Sequence, residues 1–323
     1  MSGNPPQFAD RLLLQAVREY EGYGIDPGGG VIVPMFGDFD PMQPESKVAA
    51  LSRSQRALDN AGVRRAFMHW ALPKLNSYIQ GTGDPTDPPT WTIFLEACGW
   101  ERRGDLSDEN RTIWRPATDP TPSLTSRLFR GGRRYIARGC RGSWVLSADA
   151  GKPVPISFAL SGVYSNSDLA ELPLDTLGFP GLPPTFCNSG FTISPKGHED
   201  ILPVVNQLQI ASNTGLKSRI PSSETGEVKE FRILSRNVRW STSIEVNPAH
   251  DYIRWHREGQ GFNLRVSIGQ DVGDKFTFKA RENHSAQLIE RPRFTRGPSG
   301  ILMWNLVFGV RGQRDSSLEI AYE

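Results

Sequence analysis

The feature that most constrains this chain is a run near its end, Ile301-Leu302-Met303-Trp304-Asn305-Leu306-Val307-Phe308-Gly309-Val310-Arg311, which has a weaker copy roughly 150 residues earlier, at residues 151–161. Slid together without a gap, Trp304, Leu306, Phe308 and Val310 fall on Val154, Ile156, Phe158 and Leu160. Val307, Gly309 and Arg311 fall on Ser157, Ala159 and Ser161. Each copy therefore reads as a strand with one apolar face and one mainly small or polar face, because side chains alternate across a strand. Upstream the same slide puts Trp144 on Phe294 and Asp149-Ala150 on Ser299-Gly300, so each copy reads as the second half of a β-hairpin. The chain is expected to contain a duplicated β unit.

Its length supports that expectation: 323 residues suffice for two domains of ordinary size, each with its own core. The 32 Gly and 25 Pro would interrupt a helical bundle and suit a turn-rich β protein with long loops. Charge is balanced, 37 Lys plus Arg against 35 Asp plus Glu, without the basic excess of a dedicated nucleic-acid binder. Arg outnumbers Lys, which suits planar pairing at protein interfaces. Residues 1–8 lack the pattern of a signal peptide and no apolar run reaches the length of a membrane span, so a product kept in the cytoplasm is expected. Cys98, Cys140 and Cys187 are odd in number and widely spaced, which argues for buried free thiols over a disulfide framework or zinc site.

In chain order, residues 1–30 read as an N-terminal arm, 31–165 as a first domain, 166–201 as a Pro- and Gly-rich linker and 202–323 as a second domain. Residues 12–19 fit a short helix or a strand equally, and Gly22, Gly24, Pro27 and Gly28-Gly29-Gly30 end them. The glycine cluster lacks the Lys-Ser or Lys-Thr of a phosphate-binding loop. Residues 31–39 read as a strand, residues 42–63 as a polar, basic excursion, and residues 66–72 as the next strand. Arg53, Arg56, Arg64 and Arg65 mark this excursion as a solvated loop or an arm that reaches a neighbouring molecule. Asp87-Pro88-Pro89 reads as a helix start, with Trp91, Phe94, Leu95 and Cys98 at helical spacing and Gly99 as the stop. Asn247-Pro248-Ala249 begins a second helix through Tyr252, Ile253 and Trp255. Hairpins follow each helix, residues 124–129 with 135–138 and 262–268 with 275–279.

Enzyme chemistry finds little purchase. His69, His198, His250, His256 and His284 show no metal-ligand spacing, and Ser189 lacks the Gly-x-Ser-x-Gly setting of a strained nucleophile. Asp38 and Asp40 form a possible carboxylate pair on a face expected to be solvated.

Two stretches resemble a known family. Residues 12–27, with Leu12-Leu13 leading to Glu19, Tyr23-Gly24 and Asp26-Pro27, are similar to the N-terminal signature of phage tail tube proteins of the long, non-contractile, siphovirus type. Pro89-Thr90-Trp91-Thr92-Ile93-Phe94-Leu95-Glu96-Ala97-Cys98-Gly99-Trp100 resembles that family's Pro-x-Trp, Leu-x-Ala-Cys-Gly-aromatic helix. The Trp144 strand and the ending Phe158-Ala159-Leu160-Ser161-Gly162-Val163-Tyr164 fit as well. Two departures stand out: the basic residues 42–63 replace an acidic strand, and residues 101–111 read as an insertion.

The resemblance implies a mainly β protein, a β-sandwich or open barrel with a flanking α-helix in each of two tandem tail-tube-like domains. It further implies a virion protein, assembled in the host cytoplasm without membrane insertion, whose subunits close into rings around a continuous inner barrel. Stacked rings would guide the tape-measure protein and then DNA, with a tail terminator at one end and a baseplate or distal tail protein at the other. Neither catalysis nor a cofactor is implied. Six domains per ring would make three copies a pseudo-sixfold ring, whereas a true hexamer requires that only one repeat lines the lumen. A lumen that lets DNA pass should not grip phosphate, so small, polar or acidic lining is expected. Ser157, Ala159, Ser161 and Asn305 are the candidates, Arg311 is the awkward member, and Arg53, Arg56, Arg64 and Arg65 are candidates for a loop between rings. The alternatives are another ring-forming tail part, such as a terminator or baseplate ring, or a soluble carbohydrate-binding module using Trp70, Trp91 or Trp255.

Overall fold

A computed structural model describes residues 13–20, 22–35, 43–49, 65–104, 111–117, 122–130, 132–165, 167–170, 183–186, 190–219, 228–280, 284–297, 300–310 and 318–323. The first repeat contains β1 (Leu13–Glu19), β2 (Val31–Val33), β3 (Gln43–Ala49) and β4 (Arg65–Tyr78). A 3₁₀ turn, Thr90–Thr92, then leads into α1 (Ile93–Ala97), followed by β5 (Trp100–Gly104), β6 (Thr112–Pro116), β7 (Ser123–Arg130), β8 (Arg133–Asp149) and β9 (Pro155–Tyr164). Between the repeats lie β10 (Asp168–Leu169) and β11 (Phe191–Pro195). The second repeat continues through β12 (Val205–Arg219), β13 (Glu230–Glu245), α2 (Tyr252–Glu258), β14 (Gly261–Ile268) and β15 (Phe276–Ala280). It ends with β16 (Ala286–Leu288), β17 (Arg293–Arg296), β18 (Leu302–Val310) and β19 (Leu318–Tyr322). The protein is mainly β, and pairing links these strands into one large antiparallel sheet that does not close on itself.

Eight strands form its backbone, in the order β3-β4-β9-β8-β12-β13-β18-β17, every neighbour antiparallel. A second set packs across one face: β2-β1-β7, and β11-β14-β15-β19-β6-β5. Aromatic contacts between strands that do not pair fix this as face-to-face packing. Trp144 of β8 lies 6.2 Å from Phe278 of β15, and Phe262 of β14 lies 5.2 Å from Phe308 of β18.

The helices fill the space between the layers. Phe94 of α1 is 5.2 Å from Phe158, and Trp91 is 6.4 Å from Phe158 and 5.2 Å from Phe276. In the second repeat Tyr252 of α2 meets Trp304 at 6.1 Å and Trp255 meets Phe262 at 6.0 Å. The apolar faces of residues 154–160 and 304–310 thus sit against the helices, as their alternation implied, and a single buried cluster runs from Leu14 to Tyr322 through both repeats.

Several expectations need correction. Residues 12–19 were open between helix and strand, and they supply β1. Of the strand expected at 31–39, residues 31–33 form β2 and residues 36–39 lie outside the described residues; the described part of the basic excursion expected at 42–63 is β3, a polar edge strand with no apolar alternation to announce it. The following strand runs past Leu72 to Tyr78 because a bulge between Leu72 and Leu75 accommodates Pro73, which lacks a ladder N–H. Neither expected helix cap acts as one. Asn247 Oδ1 instead accepts from the Ala249 N–H at 3.0 Å in a local turn, and the cap of α2 is Asp251, whose carboxylate accepts from the Arg254 N–H at 2.9 Å. The 3₁₀ turn before α1 has no side-chain cap. Gly99 does stop the first helix, at φ 84°, where an added Cβ would meet the Arg236 guanidinium within 2.7 Å.

The two hairpins also differ upstream of the echo. Trp144 lies opposite Phe158, whereas Phe294 lies opposite Trp304, so the gapless slide does not hold there. β8 is one uninterrupted strand, while its counterpart is broken into β16 and β17 by residues 289–292, which shifts the register. Finally, β1 lies within the expected arm and β11 within the expected linker, yet they make matching pairs, β1 with β7 and β11 with β14.

Candidate functional site

Among the described side chains, the face of the eight-strand sheet turned away from the core forms a wall of mainly small or polar residues from β4 to β17. One row across it reads Asn76, Ser157, Val145, Ala211, Arg239 and Gly309, each opposite the next on the adjacent strand. A second row reads Tyr78 and Pro155, then Ser147, Gln209, Ser241 and Val307. A third reads Asp149, Gln207, Ser243, Asn305 and Arg293. Strand alternation produces this: the core-facing neighbours Leu146, Ile156, Phe158, Leu208, Ile210, Trp240, Ile244, Leu306 and Phe308 are all buried.

Ser157, Ala159, Ser161 and Asn305 all lie on this face. The Ser157 hydroxyl donates to Asn76 Oδ1 at 2.7 Å, and Asn305 Oδ1 accepts from the Thr295 hydroxyl at 3.3 Å. Ser161 lies opposite Arg141, which is 8% exposed and sits over the Tyr23 ring at 5.9 Å. In the three rows the charged side chains are Arg239, Asp149 and Arg293. Arg239 pairs with Glu290 at 3.2 Å, and Asp149 with Lys152 at 3.2 Å. Arg311, Arg53, Arg56 and Arg64 lie outside the described residues, while Arg65 opens β4 opposite Ala49. Asp38, Asp40 and Ser189 also lie outside them. Trp70, Trp91 and Trp255 are buried and offer no platform for a sugar ring.

The join between repeats is the part of the wall that sequence reasoning missed. Residues 207–212 of β12 pair with residues 144–149 of β8, from Gln207 opposite Asp149 to Ser212 opposite Trp144. The alternation Leu208-Gln209-Ile210-Ala211 and Val238-Arg239-Trp240-Ser241-Thr242-Ser243-Ile244 carried the signal for β12 and β13. No pattern in one strand names its partner, so the join itself was not legible.

The two segments that carry the family resemblance meet beside this wall. Glu19, 4% exposed, accepts from the Ser123 hydroxyl at 2.5 Å, the Thr125 hydroxyl at 2.6 Å, the Gly24 N–H at 2.7 Å and the Gly139 N–H at 2.8 Å. Arg18, one residue earlier, makes a bidentate pair with Glu96 of α1 at 2.6 and 2.8 Å. Tyr23 then reaches both repeats: its hydroxyl donates to the Gly139 carbonyl at 2.8 Å and accepts from the Phe231 N–H of β13 at 2.6 Å. Burial pushes the Tyr23 hydroxyl well above its ordinary pKa, so it stays a neutral donor. Gly139 is required there, since an added Cβ would fall 2.3 Å from the Tyr23 ring.

A second clasp closes the outer layer. Arg115 and Arg111 donate to Glu319 of β19 at 2.8 and 2.6 Å, Lys279 lies 3.5 Å from the same carboxylate, and Lys275 pairs with Glu323 at 2.7 Å. Burial by itself would raise Glu319, but Arg115, Lys279 and Arg111 hold it below the usual carboxylate range. Cys98 and Cys140 are free and buried, and burial pushes the Cys140 thiol up to about 12. Among the described residues no group of three or more His, Cys, Asp or Glu is placed to hold a metal ion, and no helix is long and apolar enough to cross a membrane.

No protein-family model matches the chain, and no curated protein matches it.

Proposed function

We propose that this protein is a ring-forming structural component of a virion, the tail tube of a long, non-contractile phage tail. The observation that carries the reading is the β8–β12 join, which makes one wall from two repeats and turns the same small, polar face of both to one side. Among the described residues β3 pairs only with β4 and β17 only with β18, so the wall ends in two strand edges. Such edges are aggregation hazards unless paired, and a closed ring removes both. Joining the β17 side of one copy to the β3 side of the next would repeat between chains what β8 and β12 do within one.

Because both repeats contribute equally to the wall, three copies complete a pseudo-sixfold ring of twenty-four staves, which favours the trimer over a hexamer lined by one repeat. Strands about 4.8 Å apart, tilted by roughly 35–45°, put the backbones of such a barrel roughly 45–50 Å across. That leaves room for a DNA duplex. The wall's Ser, Asn and Gln side chains offer DNA no dense basic surface, which suits passage in preference to retention. Self, the tape-measure protein and the terminator and distal proteins at the tube ends are the proposed partners, with DNA as a transient occupant.

Electron microscopy of the concentrated, purified full chain tests this. Stacked rings support it, and monomers that persist even with a nucleating tail tip overturn it. Counting copies in purified particles separates a tube, present in many rings, from a terminator or baseplate ring.

A further inference from the structure

The segment between the repeats contains Pro183-Pro184-Thr185-Phe186, and the chain begins with a second copy of that pattern, Pro5-Pro6-Gln7-Phe8. The spacing to the following strand matches as well. Phe186 precedes Phe191, where β11 begins, by five residues, and Phe8 precedes Leu13, the first described residue of β1, by five. Both strands then make equivalent pairs, β11 with β14 and β1 with β7.

What the internal copy does is visible. Thr185 bridges to Pro153 in the turn between β8 and β9, the Phe186 N–H donates to the Lys152 carbonyl at 2.9 Å, and the Phe186 carbonyl accepts from the Gly151 N–H at 2.9 Å. Phe186 is 1% exposed. The stretch leading into the second repeat therefore clips the end of the preceding repeat's hairpin.

At the corresponding hairpin end of the second repeat, between β17 and β18, three apolar side chains are exposed. Phe294 is 53% exposed, Leu302 48% and Ile301 45%. Phe294 and Leu302 share the face of Trp304, on which Phe294 stacks at 3.7 Å. Val204, also exposed, is tied to the same end through the backbone, Glu245 N–H to Val204 and Val246 N–H to Leu302. Exposed apolar side chains grouped at the end of a strand edge mark an interaction surface.

We infer that Pro5-Pro6-Gln7-Phe8 of a second copy of this chain clips onto this hairpin end, Phe8 covering Phe294, Ile301 and Leu302. The inference rests on the ring reading and adds the device that fixes the order of copies: the segment leading into each repeat seals the repeat before it. The second turn already closes its own backbone, Gly297 N–H to the Ile301 carbonyl at 2.8 Å, so side-chain burial by Phe8 carries the contact there. Proline stiffness lowers the entropy lost on docking.

The test uses the full chain with two sets of variants. Phe8→Ala should raise the concentration needed for ring assembly by at least about tenfold, as loss of a buried aromatic anchor does, while Phe8→Leu restores most of it. Thermal melts of the unassembled chain should be unchanged. In a Gln7→Cys, Leu302→Cys double variant, mild oxidation of assembled rings should form a disulfide between different chains, identified by mass spectrometry. Rings that assemble normally with Phe8→Ala and form no 7–302 link overturn the clip alone. A 7–302 link formed within one chain overturns it as well. Wild-type chain that never assembles overturns the clip together with the ring reading.

Discussion

Replacing Glu19 with Ala should destabilise the fold in a way that can be worked out donor by donor. The carboxylate satisfies two hydroxyls and two backbone N–H groups at 2.5–2.8 Å in a buried site. Hydroxyls can rotate to other acceptors, but the Gly24 and Gly139 N–H groups cannot, and a buried unsatisfied donor costs about 1–3 kcal/mol. With lost packing included, Glu19→Ala should cost about 3–5 kcal/mol. For a chain of 323 residues unfolding as one unit, an unfolding entropy of about 2.1 cal/mol/K per residue converts this to a fall in Tm of roughly 4–7 °C. Glu19→Gln is the sharper variant. Its amide nitrogen can face only one oxygen's former partners, a hydroxyl that turns round and one N–H that is stranded. About 1–3 kcal/mol is expected, less than for Ala. Melts at a single protein concentration and hydrogen exchange at Gly24 and Gly139 measure both effects. A Glu19→Ala protein that melts within a degree of wild type, with those amides still protected, would show that the carboxylate does not hold this site together.

Phe308→Asp places a carboxylate where a ring is 0% exposed and should abolish folding, while Asn305→Ser on the exposed face should change stability by less than about 0.5 kcal/mol; circular dichroism of both variants checks the face assignment. Cys98 and Cys140 should resist thiol reagents in the native state and react once unfolded, as followed for each cysteine by mass spectrometry, because burial raises both thiols far above neutral pH. Glu319 has a depressed folded pKa, so its contribution is present above the ordinary carboxylate value of about 4.3 and lost as pH falls through the lower folded value. Glu319→Gln should therefore reduce stability at pH 7, and the gap from wild type should close in acid; a gap independent of pH would contradict the clasp.

What the sequence made legible was whatever is written in alternation or in a local signal. The echo of residues 154–160 in 304–310 located two core-facing strands, the aromatic residues at helical spacing located the helices that lie against them, and the four candidate wall residues share one face. Edge strand β3 escaped because its Gln-Pro-Glu-Ser-Lys sequence has no apolar side to declare. The helix caps were misplaced because Asn247 satisfies local turn chemistry as readily as a cap, and because the 3₁₀ turn before α1 begins without a side-chain cap. Pairings between distant segments were beyond reach: nothing local in Leu208 or Ile210 says that Ala148 and Leu146 lie opposite. The role of Glu19 was hidden for the same reason, since its four donors come from three places in the chain.

The most direct test of the central claim is a cryo-electron microscopy reconstruction of the assembled protein. Three copies per ring are expected, with a continuous inner barrel of twenty-four staves roughly 45–50 Å across between backbones and Ser157, Ala159 and Asn305 facing the bore. A ring of six copies lined by one repeat, or an assembly with the Phe158 and Phe308 face toward the bore, would contradict it.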